Sequence, residues 1–120
     1  MLIALLGAAL LPAQAPSQPP SSPFSPGEAL AFDVSWSIFP AGQVNVTLQR
    51  AEGHTPGAYE VVTTARSQGF VSLLYNVQNE FHSFFDSSTA CSLEIHKKMK
   101  EGRRNKDTRI VFDRGRRLAI

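Results

Sequence analysis

Three histidines and the only cysteine are the candidate metal ligands of this 120-residue sequence: His54, His82, His96 and Cys91. They lack the close spacings, such as Cys-x-x-Cys or His-x-x-x-His, that zinc sites use. Glu94 and His96 fall on one face of a predicted strand, and His82 joins them if the preceding strand pairs across the turn at 86–90. Three such ligands suit zinc, but polar residues on a solvent-facing strand give the same pattern. We therefore predict no metal and no cofactor.

Hydrolytic chemistry would need a nucleophile beside a base, or two carboxylates at a set separation. The serines form no Gly-x-Ser-x-Gly nucleophile elbow, and Asp86 opens an Asp-Ser-Ser-Thr cluster that is typical of a turn. Cys91 has no second cysteine to pair with, so it is interpreted as a small buried residue on a strand. The sequence predicts a protein that is not an enzyme.

Basic residues gather at the C-terminal end of the chain and are candidates for binding an anion. From Lys97 onward there are ten basic and three acidic residues, whereas two basic and seven acidic residues precede it. Clustered cations bind phosphate, but no aromatic side chains alternate with them to stack on bases, so no nucleic acid is expected. An anionic lipid headgroup or lipopolysaccharide fits better, with Arg103, Arg104 and Arg109 as the candidate residues. Simple solvation of two hairpin turns would also account for this charge.

Large aromatic side chains form the second set of binding candidates: Trp36, Phe70, Tyr75 and Phe81. A curled sheet lined by such residues either fills its own core or keeps a groove for an acyl chain. Any ligand is expected to be amphiphilic, with its tail against these aromatics and its anionic head toward residues 103–109.

The elements that would position these residues are strands. Apolar residues alternate with polar ones from Leu30 to Ile38 and again from Val44 to Leu48, and the Pro/Gly-containing break at 39–42 is predicted to reverse the chain. Residues 70–74 have helical spacing and predict a single helical turn or a plugging loop. Further strands are predicted at about 58–66, 77–85, 91–100, 108–112 and 117–120.

The N-terminal end has the pattern of an export signal. Leu2 to Leu11 is an uninterrupted apolar run that is too short to span a bilayer, and Ala13-Gln14-Ala15 is a small-x-small cleavage pattern. We predict a signal peptide over 1–15, a Pro/Ser-rich linker over 16–26 and one β-meander domain over 27–120. The protein is expected to be periplasmic or secreted, and not transmembrane.

The C-terminal end shapes the predicted architecture. Short turns between successive strands predict an all-β fold, an antiparallel meander sheet that is open and barrel-like. Because the last strand stops after four residues and leaves an unpaired edge, the chain is expected to be the N-terminal part of a longer domain.

Three segments resemble a bacterial family called domain of unknown function 3108. They are PFSPGEALAFDVSWSIFPAG at 23–42, TTARSQGFVSLLYNVQNEFHSFFD at 63–86 and EGRRNKDTRIVFD at 101–113. The resemblance implies an exported, mostly antiparallel β protein curled into an open barrel, with members about twice this length. It implies no enzyme activity, ligand or functional residue.

Three functions follow as expectations. The first is a non-catalytic cell-envelope protein that binds an amphiphilic or anionic lipid or glycan. The second is a structural or scaffolding partner of another envelope protein, engaged through an exposed edge strand. The third and weakest is a hydrolase whose site lies in a C-terminal half beyond these residues.

Overall fold

A computed structural model describes residues 23–120, and these form one antiparallel sheet with a single short helix. The signal peptide predicted at 1–15 and most of the linker predicted at 16–26 lie outside the described residues. The elements in chain order are β1 Ala29–Trp36, β2 Phe39–Arg50, β3 Ala58–Ser67, α1 Gly69–Leu74, β4 Val77–Asp86, β5 Ser92–Glu101, β6 Arg104–Asp113 and β7 Leu118–Ala119.

The sheet is a meander in which each strand pairs with the next one along the chain. Its order is β1-β2-β3-β4-β5-β6-β7, all pairs are antiparallel, and the sheet is not closed into a barrel. The predicted all-β, open antiparallel meander is therefore confirmed. Within residues 23–120, no helix is long and apolar enough to cross a membrane.

Alternation along the strands divides the sheet into two chemically different faces, because opposite residues in an antiparallel pair point to the same side. Following the register from β1 to β6 defines an apolar face that includes Leu30, Phe32, Val34, Val44, Val46, Leu48, Val61, Phe81, Phe85, Ile95 and Ile110. The polar face includes Asn45, Glu60, Glu80, His82, Glu94, His96, Lys98, Asp107 and Arg109.

The first reversal of the chain lies earlier than the sequence predicts. β1 and β2 are joined by Ser37 and Ile38, and Ser37 takes the left-handed conformation at φ 56°. Pro40 is part of β2, beside a register irregularity in β1, and it precedes the first β2–β3 pair at Gly42. Its missing N–H therefore removes no bond to β3, which is why a proline is tolerated there. The predicted turn at 39–42 was wrong.

Gly42 is required by close approach of two strands. A Cβ atom at this position would lie 2.6 Å from the Arg66 carbonyl oxygen on β3. Replacing Gly42 with alanine is expected to lower the free energy of unfolding by about 1–3 kcal/mol, because the paired backbones must separate. Urea denaturation followed by circular dichroism measures the change.

Gly115→Ala is the matched control for this substitution. Neither glycine has a positive φ, and at Gly115 the nearest atom to an added Cβ is the Asp113 carboxylate oxygen at 3.4 Å. A Gly42→Ala protein as stable as Gly115→Ala would show that β2 and β3 do not approach as closely as described.

The connection between β4 and β5 also differs from the prediction. Cys91 precedes β5 and is exposed, so the interpretation as a buried strand residue was wrong. The Asp86 carboxylate accepts hydrogen bonds from the backbone N–H groups of Ser88 and Thr89, and Ala90 has φ 55°. This turn occupies the chain as far as Ala90 and leaves Cys91 in the loop. Three hydrogen bonds to the Asp86 carboxylate lower its pKa to about 2. The bond from the Ser88 hydroxyl has the largest effect, followed by those from the backbone N–H groups of Thr89 and Ser88.

Candidate functional site

The apolar face is largely uncovered, and this is the main feature of the described chain. Leu48 on the apolar face and Ala58 on the polar face are the buried apolar residues of the described chain, at 8% and 5% exposure. On β1, Leu30, Phe32 and Val34 keep 46–51% of their surface exposed. Several large apolar side chains exposed together on one face of a sheet are typical of a binding surface.

One end of the apolar face is partly covered by the segment before β1. The Phe24 ring contacts the Phe85 ring edge to face, with centroids 5.0 Å apart. The Gly27 N–H donates to the Leu48 carbonyl at 2.7 Å and ties this segment to β2. Beneath it lies a cavity of about 180 Å³ whose lining includes Leu30, Leu48 and Phe85. Phe24, in the segment before β1, therefore packs against the sheet.

The other end of the apolar face is partly covered by α1, and the predicted helical turn is confirmed there. Phe70 packs edge to face on Phe39 of β2, with ring centroids 5.4 Å apart. A second cavity of about 210 Å³ lies between α1 and the sheet, and its lining includes Val34, Val71 and Tyr75. The apolar face is thus an open groove with an aromatic cover at each end, called the apolar groove below.

The four predicted aromatic site residues do not all occupy the groove in the same way. Phe81 lies near its centre, opposite Thr63 on β3 and Lys97 on β5. Tyr75 follows α1 and approaches the β5–β6 turn, where its ring would lie 3.1 Å from a Cβ at Gly102. Phe70 belongs to the α1 cover, and Trp36 lies at the end of edge strand β1 with 67% of its surface exposed.

The three predicted arginines are divided between the two faces. Arg103 lies in the β5–β6 turn, and Arg104 begins β6 opposite Glu101 on the apolar face. Arg109 lies on the polar face, where its guanidinium binds the Glu94 carboxylate through two hydrogen bonds of 2.6 and 3.1 Å. The structure therefore brings Arg104 to the side of the sheet that holds Phe81, but not Arg109.

Two cations of the apolar face were not named as candidate site residues by the sequence analysis. Lys97 on β5 lies between Phe81 and Thr108, and Lys106 on β6 lies opposite Met99. The signal that would have found them is parity, since alternate positions along a strand share a face. Treating residues 103–109 as one basic region combined residues from both sides of the sheet.

The polar face carries a chain of hydrogen-bonded charges centred on His82. Its Nδ1 lies 2.6 Å from Glu60 Oε1 and its Nε2 lies 2.6 Å from Glu80 Oε1. Both ring nitrogens can donate only if the imidazole is protonated. Hydrogen bonds to Glu80 and then Glu60 accordingly raise the pKa of His82. Burial raises the pKa of Glu60, but hydrogen bonds from His82 and Gln49 outweigh it and hold that pKa below its usual value.

Neighbouring pairs extend this network across β5 and β6. His82 lies directly opposite His96, whose Nε2 is 2.6 Å from Asp107 Oδ1. Phe84, which interrupts the alternation of β4, faces the polar side and stacks on His54 with ring centroids 4.1 Å apart. Within residues 23–120, no group of three histidine, cysteine or acidic side chains is arranged to hold a metal ion.

The protonation of this network predicts a pH optimum for stability. The lowered pKa values of Glu60 and Glu80 give stability that is present above their ordinary value and is lost as pH falls. The raised pKa of His82 gives stability that is complete below about pH 6.5 and is lost as pH rises through its folded value. The free energy of unfolding is therefore expected to be highest between about pH 5 and pH 6.5.

His82→Gln tests this expectation, because glutamine can donate a hydrogen bond but does not titrate. In the unmodified protein, the urea concentration at the denaturation midpoint should decrease as the pH is raised from 6 to 8.5. The decrease should be smaller in the variant. Equal slopes in the two proteins would contradict the assignment of this pH dependence to His82.

Fold and groove together define a class: an all-β protein built on one open antiparallel meander, with one apolar and one charged face. The chain belongs to the family described as protein of unknown function (DUF3108), whose model matches residues 31–119. This confirms the family resemblance of its three segments. No curated protein matches the sequence, and no solved structure matches it.

Proposed function

We propose that this protein is a non-catalytic cell-envelope protein that binds an acyl chain along the apolar groove. The observation that carries the proposal is the exposure of Leu30, Phe32 and Val34 on the apolar face, between two partial covers, Phe24 and α1. The apolar cavities beneath the covers have volumes of about 180 and 210 Å³. An acyl chain lying between them would bury apolar surface, and each Å² of buried apolar surface contributes roughly 25 cal/mol of favourable free energy.

Two further observations support binding over catalysis. Several titratable groups of the polar face are engaged with one another, as in the Glu60–His82–Glu80 cluster and the Glu94–Arg109 pair. The cavities at the two ends of the groove are lined mainly by aliphatic and aromatic side chains, which suit an apolar ligand.

Fluorescence titration with dansyl-undecanoic acid, a fatty acid that brightens in apolar surroundings, tests the proposed function. Saturable binding of one probe per chain is expected, with displacement by dodecanoate. The same titration in denaturing urea is the control, since unfolding removes the groove but keeps the composition. A fluorescence increase that does not saturate, or that persists in denaturing urea, would contradict the proposal.

Localisation to the cell envelope is supported by the apolar run from Leu2 to Leu11 and the Ala13-Gln14-Ala15 pattern. Fractionation of cells expressing the full sequence tests it. The protein is expected outside the cytoplasm with its N-terminal segment removed, and a cytoplasmic protein with an intact N-terminus would contradict export.

A second candidate function, as a structural partner of another envelope protein, is favoured by β1. This strand lies at one edge of the sheet, all eight of its residues are exposed, and Asp33 is its single charge. A partner strand with alternating apolar residues could add to it. Amide exchange in β1 is then expected to slow when the protein sits in its native envelope extract, whereas equal exchange rates would rule out strand addition.

A further inference from the structure

Cations on the two faces of β5 and β6 have opposite surroundings. On the polar face, Lys98 lies between Glu80 on β4 and Asp107 on β6, and Arg109 binds Glu94. These positive charges are balanced by carboxylates that the sheet register places beside them. They need no external counter-charge.

The apolar-face cations are balanced less fully, because only Arg104 has a carboxylate opposite it. Lys97 is half-buried and has Phe81 and Thr108 as its cross-strand neighbours, while Lys106 faces Met99. Arg104 lies opposite Glu101, but Glu101 Oε1 accepts a hydrogen bond from the Asn79 amide at 2.8 Å. Among the described residues 23–120, none of the three cations takes part in an ion pair, unlike Arg109 and Arg116.

We propose that Lys97, Arg104 and Lys106 form an anion site that binds the head of an anionic amphiphile whose tail lies in the apolar groove. Arg104 and Lys106 lie toward the α1 end of the groove, where Tyr75 approaches the β5–β6 turn, and Lys97 lies nearer its centre, opposite Phe81. The cavity at the Phe24 end is lined by apolar side chains and Glu28 and receives the tail, whereas Arg50, on the apolar face of β2 at that end, lies outside its lining. From Met99 to Leu93 the groove runs about 20 Å along β5, since a strand rises about 3.3 Å per residue.

The chemistry of the head is that of a carboxylate or a phosphate monoester, both of which accept charge-assisted hydrogen bonds from lysine and arginine. This anion site rests on the acyl-chain binding proposed above. It further specifies that the ligand is anionic and that its head lies toward the α1 end of the groove. Half-burial of Lys97 beside Phe81 strengthens its attraction to an anion, because fewer water molecules screen it there.

Displacement of dansyl-undecanoic acid by dodecanoate, dodecyl phosphate and dodecanol tests the site. The variant combines Lys97→Gln, Arg104→Gln and Lys106→Gln. Its matched control combines Lys98→Gln, Lys100→Gln and Arg109→Gln, which removes the same charge from the same two strands on the polar face. Circular dichroism verifies that both proteins remain folded.

Only the apolar-face variant is expected to weaken binding of an acid, by about tenfold or more, while dodecanol binding stays unchanged. The acid whose affinity decreases more, dodecanoate or dodecyl phosphate, identifies the head as a carboxylate or a phosphate. If neither variant changes the affinity for the acids, or if both variants weaken it equally, the proposed anion site is wrong. If dodecanol binds the unmodified protein as tightly as the acids, the acyl-chain function stands and the anion site fails. If none of the three ligands binds, the acyl-chain function itself has failed.

Discussion

Replacing Leu48 with alanine is expected to lower the free energy of unfolding by about 2–4 kcal/mol. Leu48 is 8% exposed and lies on β2, an interior strand of the sheet. It lies opposite Val61 and lines the same cavity as Leu30 and Phe85. A fold with so few buried apolar side chains has little else to stabilise it at this point.

Urea denaturation followed by far-ultraviolet circular dichroism measures this loss. Leu118→Ala is the control, because it removes the same atoms from a residue that is 51% exposed on the two-residue strand β7. Its effect should stay within about 0.5 kcal/mol, as for surface substitutions generally. If both substitutions shift the midpoint equally, Leu48 is not the central contact that its burial indicates.

Much of this architecture could be predicted from local sequence patterns. The strands, the single helical turn at α1 and the turn at Asp86 all follow from local patterns of apolar, glycine and polar residues. The reversal at Ser37 could not, because a serine in the left-handed conformation has no distinctive sequence signal, whereas Pro40 and Gly42 look like turn residues. Gly42 is instead explained by contact with β3, which depends on sheet register.

The candidate site was predicted less well than the fold, for a reason that is also physical. A run of basic residues appears continuous in sequence, but a strand sends alternate side chains to opposite faces. Arg109 is consequently paired with Glu94 on the polar face, while Lys97 and Lys106 lie beside the apolar groove. Similarly, Phe84 interrupts the pattern of β4 because it stacks on His54, which is far from it in sequence.

The same alternation provides the sharpest test of the groove. Replacing Phe81 with asparagine is expected to weaken binding of dansyl-undecanoic acid by about tenfold to hundredfold. Phe81 lies near the centre of the groove, and burying a phenylalanine side chain contributes about 1.5–3 kcal/mol. The dissociation constant is measured by fluorescence titration at a salt concentration high enough to screen exposed charges.

Phe84→Asn is the control, since it makes the identical change on the same strand, three residues away and on the other face. Both rings are half-buried, and Phe84 contacts His54 rather than the groove. Both variants are expected to lose some stability, but only Phe81→Asn should lose affinity for the probe. Equal losses of affinity would mean that the probe reports general loosening of the sheet, and the acyl chain would then have no defined place on the apolar face.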